Sequence, residues 1–452
     1  MTHVLVIGGS DAGISAALRA RELDPSAEVT MVVADAYPNF SICGIPFYLS
    51  GETPDWRQLA HRTREEIEAS GIELLLDTRA VSIDPRSKRV LLAAPSGAED
   101  RHPYDRLVIG TGATPIRPPI DGIDAEGVHL LHTMDDTFAL RDRLKRSSSA
   151  IVVGAGYIGL EMADALTHRG LAVTLLEQAP TVMTTVDPEL GAIVRAALEE
   201  RGVTVRTGAL VTGIHPGGEG LTVSGTGIDD VSADVVLIVV SVRPDTKLSH
   251  DAGIELGVRG AIRVDRGMRT NLPDVLAAGD CVETWHRLLR KPAYLPLGTT
   301  SHKQGRVAGE NAVGGDREYQ GSLGTQVVKI FDLAVARTGL RDADAAEAGF
   351  DPFTAQLETW DHKVYYPGAT PMTVRVTGDR RDGRLLGAQI VGNYGGQVAK
   401  RIDVFAAALH HGMAVDELSD LDLSYTPPLS SPWDPVQMSA QDWVRRAESA
   451  GV

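Results

Sequence analysis

The stretch VLVIGGSDAGISAALRARELDP, residues 4–25, decides how the chain begins to fold. Val4–Ile7 form a short, mostly β-branched apolar run that predicts a buried strand, and the helix formers of Ile14–Leu23 follow it. Glu28–Val33 predicts the next strand. The order strand, glycine turn, helix, strand is typical of the mononucleotide-binding unit of doubly wound α/β proteins.

The turn between this strand and helix is a variant of the GxGxxG pattern, with serine in the middle glycine position. Such a turn lets the backbone approach a pyrophosphate, which then lies at the helix N-terminus. The candidate cofactor-binding residues are Gly8, Gly9, Ser10, Asp11, Ala12 and Gly13. A carboxylate about 20 residues further on can accept from ribose hydroxyls, and Asp35 is the candidate. The alternative is an ordinary tight turn without a ligand, which the flanking strand and helix disfavour.

A second copy of the pattern occupies residues 150–177, AIVVGAGYIGLEMADALTHRGLAVTLLE. Its candidate cofactor-binding residues are Gly154, Gly156, Gly159, Glu161 and Glu177. An acid at the end of the second strand accepts from the adenosine ribose and repels a 2′-phosphate, so Glu177 predicts NADH rather than NADPH. Two such units imply two dinucleotides, or one dinucleotide and a duplicated relic.

Further strands are predicted at Tyr104–Gly112, Asp234–Val240 and Gly260–Asp265, and the apolar run Leu276–Gly279 ends in Asp280. The end of the first of these strands, Thr111-Gly112, consists of small residues. Asp280 is either a strand-end turn residue or an acceptor for the ribityl hydroxyls of a flavin. A helix is predicted from about Thr299 to Glu310.

Lys303, next to His302, lies near the start of that helix, where a cation opposes the helix dipole. Such a local conflict can mark a binding site, so Lys303 is a candidate cofactor ligand, with a solvated first turn as the alternative. His410-His411 lacks the spacing of a metal site, and we expect no metal.

The C-terminal part changes character from about Gly321. Strands are predicted at Thr325–Phe331, Pro371–Val376 and Leu385–Ile390, a long helix at about Gly396–His411, a proline-rich loop at Tyr425–Pro435 and a polar helix around Met438–Ala447. Together with the two glycine-turn units, this pattern predicts an α/β chain of several domains.

Cys43 stands in the segment Phe40–Tyr48, FSICGIPFY, next to Gly44. A lone cysteine is more often an inert buried residue than a nucleophile. Cys43, however, begins a possible helix, whose N-terminal amides would stabilise a thiolate. Positions 46 and 48 hold Pro46 and Tyr48, not a second cysteine, so any redox chemistry passes through a mixed disulfide or a sulfenic acid. For Cys281, in an apolar setting, a structural role is expected.

The composition excludes several classes of protein. The chain of 452 residues carries 44 Lys and Arg against 60 Asp and Glu, a net charge of −16, which disfavours a nucleic-acid binder. No apolar run approaches the roughly 20 residues of a membrane span, and the N-terminus lacks the order of a signal peptide. Two cysteines cannot form a disulfide framework, so a reduced cytoplasmic setting is expected.

These segments together resemble the pyridine nucleotide-disulfide oxidoreductase family, in the single-cysteine branch of coenzyme A-disulfide reductases, NADH oxidases and peroxidases, and polysulfide reductases. The resemblance rests on the two glycine turns, Thr111-Gly112, Gly279-Asp280 and the loop Tyr425–Pro428. The Ser-Phe-x-x-Cys segment of that branch reads Asn39-Phe40-Ser41-Ile42-Cys43, with the serine replaced.

The resemblance implies two Rossmann-like dinucleotide-binding domains and a C-terminal α+β dimerisation domain. FAD would bind residues 1–115 and 245–320, NAD(P)H residues 116–244, and residues 321–452 would pair two subunits. FAD would place its pyrophosphate on the first glycine turn and its ribityl chain near Asp280, with NADH stacked on one flavin face and Cys43 on the other. Tyr425 and one of Tyr365 or Tyr366 match tyrosines that assist catalysis in the partner subunit.

Three departures bear on the substrate. Asp11 replaces a histidine of the oxidase and peroxidase subgroup, which disfavours oxygen or peroxide chemistry. The usual FAD-ribose acid aligns near Val33 rather than Asp35. An arginine pair of some coenzyme A-using relatives reads Arg21-Glu22, which weakens the case for coenzyme A.

The hypothesis is an FAD-dependent enzyme that passes electrons from NADH through FAD to a disulfide or polysulfide bound at Cys43. Tyr425 and Tyr366 are the further catalytic candidates, and a homodimer is expected. The alternatives are an NADH oxidase or peroxidase that uses a Cys43 sulfenic acid, and a flavin-loaded redox sensor with little turnover. A ferredoxin reductase is disfavoured because those relatives generally lack the cysteine.

Overall fold

The N-terminal strand, glycine turn and helix form as expected and build the first sheet. The computed structural model describes residues 1–218 and 220–449. Five parallel strands lie in the order Val275–Ala277, Arg106–Ile109, His3–Ile7, Glu28–Val32 and Ile72–Leu75. Because His3–Ile7 is central and four of its five residues are fully buried, the turn that follows it opens at the carboxyl edge of the sheet, where ligands of such folds bind.

Two helices cross on one face of this sheet, Asp11–Leu23 and Gly298–Ala312. They approach closely because glycines face the first helix: a Cβ on Gly305 would lie 2.2 Å from the carbonyl oxygen of Ala12, and a Cβ on Gly309 equally close to that of Ala16. The contact brings the start of the late helix beside the first glycine turn.

The second glycine-turn unit builds a second parallel sheet. Its strands lie in the order Thr204–Thr207, Ala172–Glu177, Ser149–Val153, Val235–Ile238 and Val128–Leu130. Its helices are Met134–Leu144, Tyr157–His168 and Pro188–Glu200. The central strand is again buried almost throughout, so the second turn also opens at a carboxyl edge.

An antiparallel sheet forms the C-terminal part of the chain. Its strands lie in the order Gln326–Ile330, Leu333–Gly339, Leu385–Asn393, Pro371–Asp379 and Pro352–Trp360. Its helices are Asp342–Glu347, Val398–His411 and Pro435–Ser449. Two parallel sheets and one antiparallel sheet with helices confirm the α/β fold with a C-terminal α+β part.

Smaller elements connect these three sheets. Ala113–Pro115 pairs with Val242–Pro244 where the chain passes between the two parallel sheets. The other antiparallel groups are Arg79–Asp84 with Arg89–Ala93 and Glu99–Pro103, Leu210–Gly217 with Gly220–Thr226 and Val231–Ala233, and Thr284–His286 with Lys291–Ala293. Short helices lie at Ile45–Ser50, Arg64–Ala69 and Lys247–Asp251, and 3₁₀ turns at Ile42–Gly44, Trp56–Leu59, Val258–Gly260 and Asp416–Asp420.

The predicted strand Gly260–Asp265 is wrong. Arg259 and Gly260 have φ angles of 53° and 75°, so the chain turns there instead of extending. Ile262 alone bridges to Leu256 and Val282. Within the described part of the chain, no helix combines the length and apolar character that crossing a membrane requires.

Candidate active site

The first glycine turn has no room for a side chain at Gly8 or Gly13. A Cβ on Gly8 would lie 2.1 Å from the carbonyl oxygen of Gly110, and a Cβ on Gly13 would lie 1.9 Å from that of Gly8. Helix Asp11–Leu23 begins inside the turn, three residues before the sequence predicted, and Ser10 makes no side-chain capping bond. The first backbone N–H groups of a helix need partners from outside it, and a phosphate supplies them. The turn therefore fits the pyrophosphate of a dinucleotide.

Asp280 lies beside this turn, as the predicted flavin site requires. Its Oδ1 accepts a hydrogen bond of 2.7 Å from the Ser301 hydroxyl. Gly279 donates its N–H to Gln304, and a Cβ on Gly279 would lie 2.7 Å from that of Ala12. Burial raises the pKa of Asp280, and the Asp11 carboxylate raises it further. Ser301, which the sequence analysis missed, orients this carboxylate.

The position expected for the ribose-binding acid is held by Val33, and the nearest carboxylate in the sequence is that of Asp35. Val33 packs on the turn, since its Cγ2 would lie 2.7 Å from a Cβ on Gly9. Asp35 accepts the N–H of Tyr37 at 2.8 Å, and burial raises its pKa. The carboxylate therefore lies in a loop beyond the strand end, two residues after the apolar side chain that takes the usual position.

Hydrogen bonds of the backbone hold the cysteine segment against the first turn. The N–H of Asn39 donates to the carbonyl of Gly9 at 2.8 Å. Cys43 lies in the 3₁₀ turn Ile42–Gly44, which the Ser41 hydroxyl caps by accepting the N–H of Gly44. Helix Ile45–Ser50 follows and packs against helix Tyr157–His168 of the second unit. The Cys43 thiol is exposed to solvent at the junction of the two units.

Carboxylates from three distant segments act electrostatically on this thiol. Burial by neighbouring residues raises the pKa of Cys43, and Glu161, Asp11 and Asp280 raise it further. The sequence analysis expected helix amides to lower that pKa. The backbone does lower the pKa of Cys43, but it does so less than burial and the carboxylates raise it. The helix that follows has only six residues.

Glu161 has an unusual environment of its own. Burial is the main cause that raises its pKa, and the Asp164 carboxylate adds to it, giving a value of about 7. Lys329 of the C-terminal sheet opposes the rise, and its ammonium lies 3.2 Å from Asp164 and 3.5 Å from Glu52. This Glu52–Lys329–Asp164 cluster joins all three parts of the chain. The sequence analysis missed this cluster, because no local pattern indicates a contact between residues so far apart in the sequence.

Neutralising Glu161 is expected to lower the pKa of Cys43. Above pH 7 the Glu161 carboxylate is largely charged and opposes the thiolate, so Glu161→Gln removes one of the charges that raise the thiol pKa. The pH midpoint for alkylation of Cys43 by iodoacetamide should move to lower pH. Cys281 will not interfere, because it is buried and its pKa is raised to about 11.

The matched control for this prediction is Glu199→Gln. Glu199 lies in the same sheet unit but pairs with Arg195 at 2.8 Å, on the helix Pro188–Glu200. Its neutralisation should leave the alkylation profile of Cys43 unchanged. A Glu161→Gln midpoint that stays in place or moves to higher pH would contradict the expected repulsion.

Glu177 binds the backbone of the second glycine turn through its carboxylate. One carboxylate oxygen accepts the N–H of Ala155 at 2.6 Å and the other accepts that of Ala179 at 2.7 Å. A Cβ on Gly159 would lie 1.8 Å from the carbonyl oxygen of Gly154, whereas a Cβ on Gly156 would meet nothing within 4 Å. The turn is therefore tightly packed at Gly159 but open at Gly156, where a pyrophosphate can approach, so it also fits a dinucleotide.

Three further residues predicted to bind a cofactor are Thr111, Gly112 and Lys303. The Thr111 hydroxyl donates to the carbonyl of Asp245 at 2.6 Å, and Gly112 accepts the N–H of the same residue. Both therefore lie where the chain passes between the two parallel sheets. Lys303 is exposed, and its charge acts on His410 of the C-terminal helix. Lys303 is the sixth residue of helix Gly298–Ala312, and its role as a cofactor ligand stays a prediction.

The predicted tyrosines lie on the surface of the C-terminal part. Tyr366 and Tyr425 are 42% and 44% exposed, and Tyr425 interacts with Tyr365. Leu429 and Trp433 are also exposed on the same loop. Among the described residues, no hydrogen bond or aromatic contact joins these tyrosines to Cys43. Cys281, in contrast, is fully buried, with its sulfur 3.4 Å from the carbonyl oxygen of Ala278.

Comparison with known proteins identifies two matching family regions. Residues 2–305 match the family described as pyridine nucleotide-disulphide oxidoreductase. Residues 325–435 match the dimerisation domain of the same family. The two matches together cover both glycine turns, Cys43, Asp280 and the loop of Tyr425.

Individual relatives cover nearly the whole chain. An NAD(P)H sulfur oxidoreductase (CoA-dependent) of Pyrococcus abyssi is 32% identical over 441 residues, 97% of either chain. An NADH oxidase of Methanocaldococcus jannaschii is 31% identical over 450 residues, 98% of this chain and 99% of the relative. The structure of an NAD-dependent persulfide reductase from A. fulgidus is 37% identical with a TM-score of 0.95, over 99% of this chain and 84% of that one.

Proposed function

The chain belongs to the pyridine nucleotide-disulphide oxidoreductase family, and we propose that it reduces a disulfide, polysulfide or persulfide substrate bound through Cys43. It is an NAD(P)H oxidoreductase that uses FAD. The observation that carries the proposal is the position of Cys43 at the junction of the two nucleotide-binding units, on a segment that the hydrogen bond from Asn39 to Gly9 holds against the first glycine turn. Relatives named for sulfur and persulfide reduction support the same class of acceptor.

The residues that would hold FAD are those of the first turn together with Asp280, and the second turn would hold the nicotinamide dinucleotide. Gly8 and Gly13 leave no space for a side chain, so the backbone itself faces the pyrophosphate. Asp280, oriented by Ser301, offers an acceptor for hydroxyl groups. When bound, FAD supplies the two-electron relay between the nicotinamide and sulfur.

Cys43 is the proposed nucleophile. Its thiolate attacks one sulfur of a substrate RSSR, which gives a Cys43–S–S–R mixed disulfide and releases RS⁻. Two electrons then break the mixed disulfide, which restores the Cys43 thiolate and releases the second RS⁻. Two protons complete the products. Glu161, whose pKa is raised to about 7 and whose carboxylate acts on the Cys43 thiol, is the proposed group that exchanges a proton there.

The stoichiometry of turnover tests this assignment. Under anaerobic conditions, one NADH should disappear for every two thiols formed from coenzyme A disulfide, or for each hydrosulfide released from a polysulfide. With oxygen as the only acceptor, NADH should be consumed far more slowly. NADH oxidation that requires oxygen and ignores both sulfur acceptors would contradict the proposal.

An NADH oxidase is the second candidate, because the relative from Methanocaldococcus jannaschii carries that name. Oxygen chemistry would use a Cys43 sulfenic acid. Asp11 disfavours it, since its carboxylate lies close enough to raise the pKa of Cys43 and would repel a sulfenate. The oxygen-dependent rate in the same assay decides between the two candidates.

We propose NADH as the preferred reductant. Glu177 closes the second turn through the amides of Ala155 and Ala179, which fixes its carboxylate where it would accept from the ribose and repel a 2′-phosphate. In Glu177→Ala, the ratio of kcat/KM for NADH to that for NADPH should fall by about tenfold or more, from the loss of a charged hydrogen bond and of the repulsion.

Gln178→Ala is the control for this prediction. It changes the adjacent side chain without changing charge, and it should leave the ratio close to that of the unaltered protein. A ratio that Glu177→Ala does not change would exclude Glu177 as the selectivity residue.

We propose that two chains form a homodimer through residues 321–452. The match to the dimerisation domain supports this division, as do the strands Ala113–Pro115 and Val242–Pro244, which pair at the boundaries proposed between residues 1–115, 116–244 and 245–320. The exposed Tyr425 and Tyr366 would then face a neighbouring chain, where they would assist the partner's Cys43.

A further inference from the structure

A cavity of about 390 Å³ lies outside the site described above. It is bounded by the hairpin Thr284–His286 and Lys291–Ala293 on one side and by the end of helix Val398–His411 on the other. This size is within the range of about 300–1,000 Å³ typical of small-molecule sites. No function proposed above uses it.

The lining of this cavity is basic, although the whole chain carries a net charge of −16. The cationic or protonatable residues among its lining are Arg266, Arg287, Arg290, Arg384, His410 and His411. None of the lining residues is an aspartate or a glutamate. We call this site the arginine cavity.

Two of its arginines are not engaged by the protein. Within residues 1–218 and 220–449, no carboxylate lies within 4.0 Å of Arg290 or Arg384, and neither guanidinium makes a hydrogen bond. Arg287, in contrast, donates to the carbonyls of Gln320 and His410 at 3.0 and 2.8 Å. Arg266 pairs with Glu318 at 3.3 Å. In the arginine cavity, Arg266 and Arg287 are therefore held by hydrogen bonds or an ion pair, whereas Arg290 and Arg384 can bind a ligand.

The basic groups near the cavity act on His410, which lines it. Burial lowers the pKa of His410, and Arg287, His411 and Lys303 lower it further. Like charges gathered without a counter-charge destabilise one another. A bound anion would relieve that repulsion.

Apolar groups complete the lining. Trp285, Leu288 and Leu409 form part of the wall between the basic side chains. Tryptophan offers a flat face to a planar ring, and guanidinium groups match phosphate oxygens in pairs. We propose that the arginine cavity binds a small phosphorylated molecule that also carries a planar ring, of the class of a nucleoside diphosphate, and that Arg290 and Arg384 hold its phosphates.

Calorimetry tests this proposal on the FAD-loaded protein with saturating NAD⁺, so that neither glycine turn is available to the probe. Guanosine diphosphate and inorganic pyrophosphate are the probes. We expect one equivalent of each to bind per chain, guanosine diphosphate more tightly, with quenching of tryptophan fluorescence that Trp285→Phe reduces. Arg290→Ala and Arg384→Ala should each weaken binding by about tenfold, the loss expected for a charge-assisted hydrogen bond.

Arg86→Ala is the matched control. Arg86 is also an exposed arginine in a hairpin turn, between Arg79–Asp84 and Arg89–Ala93, and it does not line the cavity. Its loss should not change binding. The proposal is overturned if the double variant of Arg290 and Arg384 binds pyrophosphate as well as the unaltered protein, if Arg86→Ala weakens binding equally, or if NAD⁺ abolishes binding. Equal affinity for the two probes would overturn the part assigned to Trp285.

Discussion

Cys43→Ser should lose disulfide and polysulfide turnover by about 10³-fold or more, because a serine hydroxyl cannot form the mixed disulfide on which the reaction depends. The same variant should retain FAD and still accept electrons from NADH. Cys43 belongs to neither glycine turn, and the hydrogen bond that holds its segment runs from Asn39 to Gly9 through the backbone. Stopped-flow reduction by NADH and steady-state thiol release measure the two properties separately.

Cys281→Ala is the control for that variant. Cys281 is fully buried and its thiol lies near the carbonyls of Ile109 and Ala278. Its removal should leave specific activity unchanged. Full disulfide turnover by Cys43→Ser would exclude the thiol mechanism. If only Cys281→Ala lost activity, the assignment of the chemistry to Cys43 would be wrong.

Gly8→Ala is expected to have the second large effect, the loss of bound FAD together with a marked loss of stability. Gly8 has a φ angle of 106°, and an added Cβ would lie 2.1 Å from the carbonyl oxygen of Gly110. A non-glycine residue in this region costs about 1–2 kcal/mol, and the clash with the neighbouring strand adds to it. The FAD content of the purified protein and its urea midpoint measure both consequences.

A second glycine separates the effect of backbone strain from the effect of the steric clash. Gly51 also has a positive φ angle, 95°, but a Cβ there would meet nothing within 4 Å. Gly51→Ala should therefore lose stability only through backbone strain and keep one FAD per chain. If Gly8→Ala also retained one FAD and the stability of Gly51→Ala, the close packing of the first turn would not be needed for binding.

The fold was largely predictable where a short local pattern carries the information. Both glycine turns combine a buried strand, fixed spacing and a helix. The ribose roles of Asp35 and Glu177 stay predictions. The strand Pro352–Trp360 was missed because it lies at a sheet edge, where only Ala355 is fully buried and the apolar signal is weak. Leu333–Gly339 was missed because its buried residues are mostly small.

The electrostatics of the candidate site could not be predicted in the same way. Cys43 was identified from its own segment, but the carboxylates that raise its pKa belong to the first turn, helix Tyr157–His168 and the end of strand Val275–Ala277. Their proximity depends on how the two nucleotide-binding units pack against each other. The arginine cavity likewise joins two distant parts of the chain, so no single stretch of sequence indicates it.

The most direct test of the central claim is the mass of Cys43 during one catalytic cycle. The anaerobic protein is incubated with coenzyme A disulfide or sodium polysulfide, quenched in acid before and after one equivalent of NADH, and analysed by intact and peptide mass spectrometry. We predict a coenzyme A or sulfur adduct on Cys43 that NADH removes. Reduction of the substrate while Cys43 carries no adduct, or carries only one added oxygen, would contradict the account.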